Sequence, residues 1–147
     1  MKKYWSIAFV LLMASYSFPL LAQTQQESHK TVSEHHRTVM EHTAALKDGK
    51  AKTPAEMRNH SKMAGEHLTK AHQAHEAMES KMSAAEKAEP THMAVKKHHT
   101  EAMAHHKNLE SEVNKPNPNP SKVKEHATKM HESISRAEET HQKTKKQ

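Results

Sequence analysis

The chain of 147 residues contains no cysteine. That excludes a disulfide framework, a lipid-anchored cysteine and thiolate metal sites. Aromatic residues are nearly as scarce: Tyr4, Trp5, Phe9, Tyr16 and Phe18 all precede Ala22. Beyond Ala22 the branched aliphatics are Val32, Val39, Leu46, Leu68, Val95, Leu109, Val113, Val123 and Ile134. A core built from these is thin, so alanine and methionine must supply much of the burial. A marginally stable chain, partly disordered without a ligand, is expected. No segment alternates with period two and β-formers are sparse, which excludes a sheet. The net charge of +6 is spread as lysines among glutamates. Such a pattern reads as a solvated face and excludes nucleic acid as a partner.

The start of the chain reads as an export signal. Lys2 and Lys3 form a basic region, "WSIAFVLLMA" is apolar, and "FPLLA" ends at Ala22. The apolar run is short and interrupted by Ser15, Ser17 and Pro19, which fits a cleaved leader better than an anchor. The expectation is a signal peptide over 1–22 and one helical His/Met-rich domain over 23–147. That domain would be periplasmic or secreted, with no stable membrane insertion. Loss of Lys2 and Lys3 takes its charge from +6 to about +4.

Ala, Glu, Lys, Gln, Met and His dominate the remainder and favour helix. The punctuation predicts four helices. The first spans about Gln25 to Asp48, and Gly49 suits its C-terminal cap. "TPAE" opens the second, with Thr53 as cap, Pro54 in the first turn and Glu56 closing a capping box. It is expected to run to about Lys87, with Gly65 a weak point, until Pro90 breaks it. The third covers about Thr91 to Val113. "NKPNPNP" is an extended linker, after which Asn119 and Pro120 open the fourth. Each helix carries an apolar stripe at three- and four-residue spacing, as helix-on-helix packing requires.

The chain also repeats itself. His29, Val32, His35, His36, Met40, His42 and Leu46 reappear 63 residues on as His92, Val95, His98, His99, Met103, His105 and Leu109. The second and fourth helices match at an offset of 66: Met57 with Val123, His60 with His126, Leu68 with Ile134, His75 with His141. The fold class is therefore all-α. A four-helix bundle from two duplicated αα-hairpins, about 25–88 and 91–144, is expected.

Sixteen histidines, with methionine repeatedly one helical turn away, point to metal. Imidazole suits copper, zinc and nickel; the soft thioether suits Cu(I) and its analogue Ag(I). Residues three or four apart share a helix face and can clasp one cation. Pairs of this kind are His36/Met40, His99/Met103, Met57/His60, His60/Met63, Met63/His67, His72/His75, His75/Met78, Met103/His106 and His126/Met130. With His29, His35, His42, His92, His98, His105 and His131 they make up the candidate ligands. Copper as Cu(I) or Cu(II) is the expected ion, with Ag(I) or Zn as alternatives. The competing reading of any one pair is bland: a methionine at heptad spacing packs a core, and a polar-face histidine is solvated.

Other chemistries fare worse. A di-iron bundle needs two Glu-x-x-His motifs, and only Glu138–His141 supplies a clear one. No His-Glu-x-x-His motif and no calcium loop occur. Haem would lack both Cys-x-x-Cys-His and aromatic walls. No nucleophile–base–orienter set is visible, so an enzyme is not expected.

The export signal, the absent cysteine and the His/Met pairs together resemble the SilE/PcoE-type periplasmic silver- and copper-binding proteins. Met57-x-x-His60, His60-x-x-Met63, His75-x-x-Met78 and Met103-x-x-His106 carry the resemblance. His36, His99 and His126, each followed by Met four residues on, match a looser form. The "NKPNPNP" linker and the Lys-rich tail depart from it. The resemblance implies several soft-metal sites, with helix formed or tightened on binding. The functional expectation is buffering or sequestration of copper, or silver, for metal tolerance. Metal ions, metal-efflux components or a second copy are the partners it suggests. The rival expectations are a helical stress or chaperone-like protein and a purely structural bundle. "HLTKAHQ" approaches the Leu-Thr-x-x-Gln signature of Spy/CpxP-like chaperones with one residue too many.

Overall fold

A computed structural model describes the backbone of residues 5–144, and side chains from residue 26. The expected leader falls outside the residues whose side chains are described. Five helices follow in order: α1 (Trp5–Lys47), α2 (Pro54–Glu79), α3 (Ala84–Lys87), α4 (Pro90–Val113) and α5 (Pro120–Thr144). No strand occurs among the described residues. Nor is any described helix long and apolar enough to cross a membrane.

Local chemistry sets the helix ends. Gly49 takes φ 67°. Its N–H donates to Leu46 O, and that of Lys50 to Ala45 O, which is a Schellman closure of α1. The Thr53–Glu56 capping box forms in both directions at the start of α2. Asn119 Oδ1 accepts from Ser121 N at 2.9 Å and so starts α5. Buried Glu112 ties down the linker, accepting from Asn119 N at 2.9 Å and from Lys115 Nζ at 2.5 Å. The second helix departs from expectation. It stops at Glu79 instead of continuing to Lys87. Ser80 turns its hydroxyl back onto Ala77 O, and a second capping box, Ser83 with Glu86, begins the separate α3.

The long helices form a four-helix bundle. α1 packs on α2 and α5, and α4 packs on the same two, leaving α1/α4 and α2/α5 on the diagonals. At one end the core is apolar, built from Val39, Leu46, Leu68, Leu109, Val123, Met130 and Ile134 with alanines between.

The hairpins interlock through two imidazoles. Nδ1 of His131 lies 3.0 Å from Thr43 Oγ1 where α5 meets α1. Where α4 meets α2, His106 Nε2 donates to Ser61 O at 3.0 Å, and its ring lies over Gly65. Thr43 and His106 are counterparts in the repeat, as are Gly65 and His131. Gly65 is thus no weak point in α2: a Cβ there would land inside the His106 ring. Gly65→Ala is expected to cost about 1–2 kcal/mol net, overpacking outweighing the gain in helix propensity. In a His106→Ala background the same change should be neutral or stabilising. Urea melts of the two single variants and the double variant check this.

Candidate metal centre

Beyond the apolar half of the core, imidazoles replace aliphatic side chains. Each long helix contributes one at the same level: His36 from α1, His75 from α2, His99 from α4 and His141 from α5. All four are at most 1% exposed. Their geometry follows the duplication. Ring centroids are 6.1 Å apart for His36 and His141, and 5.4 Å for the counterpart pair His99 and His75. His29 lies 4.7 Å from His141, and its counterpart His92 stacks 4.6 Å from His75. Across the diagonal, the Nε2 atoms of His36 and His99 approach to 2.6 Å.

The Glu138 carboxylate can only accept, so His36 Nδ1–H donates to it at 2.7 Å. His36 Nε2 and His99 Nε2 then share one proton between them. His99 Nδ1 is buried with no hydrogen-bond partner. His75 Nδ1 and His92 Nε2 are likewise buried without a hydrogen-bond partner. Each orphaned polar atom of this kind costs about 1–3 kcal/mol.

One side of this layer borders a cavity of about 360 Å³. His29, His75, His92 and His141 line it together with Met78 and Met82. His75 and His92 of its wall, with Glu79 beside them, bring one nitrogen or oxygen each to within 4.8 Å of one another. His75 and Glu79 share a face at the end of α2, one turn apart. The α3 connection returns the chain so that His92, in the first turn of α4, faces them. Lys96 Nζ donates to both Glu79 oxygens, at 3.1 and 3.2 Å. Such a set of two imidazoles and a carboxylate can hold a metal ion.

Burial keeps the rings neutral. It pushes His99 down to about 2, aided by the neighbouring His36 and His75. His75 falls to about 3 through burial and His92, and His141 to about 4, again chiefly through burial. Burial alone would raise Glu138, but hydrogen bonds from His36, Gln142 and Ser33 hold it at about 2. The Lys96 hydrogen bond lowers Glu79. The ring nitrogens of His75 and His99 therefore stay available as lone pairs at neutral pH, as ligation requires.

The chain matches no family model, no curated protein and no solved structure.

The remaining sequence candidates separate into groups. His72 sits 5.8 Å from the His99 ring and 3.4 Å from Glu76. On the α1–α2 seam, His35 meets His67 and His42 meets His60, with Nδ1–Nδ1 distances of 3.1 and 3.0 Å. Half-buried Met63 lies on the same α2 face, between His60 and His67. On the α4–α5 seam, His98 pairs with Glu101 at 3.0 Å, while His105 is lowered by burial, Lys129 and His126. His106 and His131 fill the contacts between hairpins. Met57 and Met130 belong to the apolar core, and Met40 and Met103 pack against it.

Four residues of this centre are absent from the sequence-derived candidates: Glu79, Met82, Glu138 and His141. The repeat held the signal for two of them. His141 is the counterpart of His75, and Glu138 that of His72. Glu79 required the fold, because only the break after α2 turns it toward His92.

Proposed function

We propose that the protein is a periplasmic metal-binding protein that buffers or sequesters copper, and silver as its softer analogue, in metal tolerance. The observation that carries this reading is the His75–Glu79–His92 set, whose two histidines line a cavity together with Met78 and Met82. Imidazole and carboxylate suit Cu(II), whereas imidazole and thioether suit Cu(I) and Ag(I), so one cavity serves both oxidation states. Zinc fits the harder part of the same donor set. The export signal expected from the sequence supports a periplasmic setting for this chemistry. Efflux components or a second copy are the partners in such a role, and no reaction is assigned to it. A client-holding chaperone would need exposed apolar surface; among the described residues, Met93 is the large hydrophobic side chain that is exposed.

The test is a titration with copper against a chelating indicator at pH 7, read alongside native mass spectrometry. The wild type is expected to retain metal against the indicator. Glu79→Gln combined with His92→Gln should weaken the tightest site by about 100-fold or more, since even the loss of an outer-shell partner costs 10–100-fold. Circular dichroism should show the bundle intact. Unchanged affinity in the folded double variant would refute the assignment.

A further inference from the structure

The α1–α2 seam carries a second arrangement, remote from the cavity in sequence register and different in its donors. His35 and His42 stand seven residues apart on α1, about 10 Å along the axis. Antiparallel α2 presents His67 and His60 at the matching spacing. Each cross-helix pair meets Nδ1 to Nδ1, at 3.1 and 3.0 Å, with ring centroids 5.2 Å apart in both cases. All four rings are half-buried. Met63 occupies the α2 register between the two rungs, one turn from each.

We propose that this seam is a two-rung clip for soft monovalent cations, Cu(I) or Ag(I), each rung holding one ion between two imidazole nitrogens. The proposal rests on the metal-binding reading above but uses none of the cavity residues.

The chemistry of a rung supports it. Two neutral imidazoles that meet Nδ1 to Nδ1 share a single proton, one ring donating and the other accepting. A monovalent d¹⁰ ion accepts two opposed nitrogen donors in place of that proton. The donating ring shifts its hydrogen to Nε2, so no proton is released and both rings stay neutral. Metal–nitrogen bonds of about 2 Å require the two nitrogens to part to roughly 4 Å. Side-chain rotation on half-buried positions supplies that opening of about 1 Å without moving the helices. Among the described residues no carboxylate hydrogen-bonds to either rung, so the donors are imidazole with a thioether in register between them. Such a set favours soft ions over hard ones.

The duplication supplies an internal comparison. On the α4–α5 seam the counterparts of His35, His42 and His60 are His98, His105 and His126. The counterpart of His67 is Ser133, however, and that of Met63 is Lys129. Deprived of a cross-helix imidazole, His98 turns to Glu101. The lysine places a cation beside His105. One hairpin therefore keeps both rungs, and the other has lost an imidazole of one rung and the thioether between them.

Silver nitrate added to the full chain, followed by native mass spectrometry and by NMR of the histidine ring nitrogens, tests the proposal. The rings of His35, His42, His60 and His67 should shift together on silver binding. His60→Gln with His67→Gln should bind two fewer silver ions per chain while retaining the copper site at the cavity. Glu79→Gln with His92→Gln should do the reverse, keeping both seam ions. A gain-of-function variant removes any dependence on the folding of the loss variant. Lys129→Met with Ser133→His should rebuild the clip on the second hairpin and raise the silver count by one or two. An unchanged silver count in the folded His60→Gln/His67→Gln variant, or no gain in the rebuilt one, overturns the clip and leaves the cavity assignment standing.

Discussion

Held free of metal by a chelator, the protein is expected to lose most of its stability between pH 7 and pH 4.5. The cause is the buried imidazole layer. His99, His75 and His141 titrate at about 2, 3 and 4 in the folded chain, burial being the first cause for each. In the unfolded chain they return to about 6.5. The native values are depressed, so the unfolded state binds more protons below about pH 6.5. Their contribution is complete above that pH and is lost progressively as the pH falls toward the native values. Each group supplies up to about 1.4 kcal/mol per pH unit. Three together amount to on the order of 5 kcal/mol or more over two units, comparable with the whole stability of a small domain. Glu138 acts in the same direction at lower pH, because its folded value of about 2 lies below the ordinary carboxylate range. Urea melts at intervals from pH 7 to pH 4.5 measure the effect. Midpoints that stay within a few tenths molar over that range would contradict neutral burial of these rings.

Much of the scaffold that places this layer was legible in the sequence. Gly49, the Thr53–Glu56 box and Asn119 act through short-range hydrogen bonds, so their signals need no tertiary context. The duplication at offsets of 63 and 66 also survives: His36 and His99, read as counterparts, meet across the core diagonal. The ligand geometry was much less legible. Spacing along one helix suggested His–Met clasps such as His36 with Met40. In the structure Met40 packs on the apolar core, while His36 reaches a ring on a different helix. A stripe at three- and four-residue spacing shows which residues leave a helix together. It does not show which partner they meet, because that depends on how the helices pair. The α2 stop at Glu79 was missed for a related reason. Ser83 and Glu86 form a weak local box inside a strongly helical composition, and only the return of the chain to α4 makes the break necessary.

Replacing the diagonal pair, His36→Leu with His99→Leu, is expected to make the metal-free protein more stable. Leucine is close to histidine in volume and brings no polar atom. The exchange removes the orphaned Nδ1 of His99 and the proton-sharing contact between the rings. Exchanging buried polar pairs for well-packed apolar side chains is commonly neutral or stabilising by about 1–4 kcal/mol. Glu138 loses the His36 bond but keeps Gln142, and its carboxylate is partly exposed, so the penalty left behind is small. A gain of about 2 kcal/mol would raise the melting midpoint by roughly 5–10 °C for a chain of this size. The acid sensitivity should fall as well, since one of the three deepest titrating rings is gone. Metal at His75, Glu79 and His92 should survive, though with altered affinity, because the His99 ring packs beside His75. The measurement is a thermal melt of the variant and the wild type in chelator at pH 7 and pH 5. A variant that melts lower than the wild type at pH 7 would mean that the imidazoles are the better core. The purely structural reading of the histidine layer would then stand. A variant that melts higher means that the bundle gives up stability to keep these rings, the usual sign of a functional site.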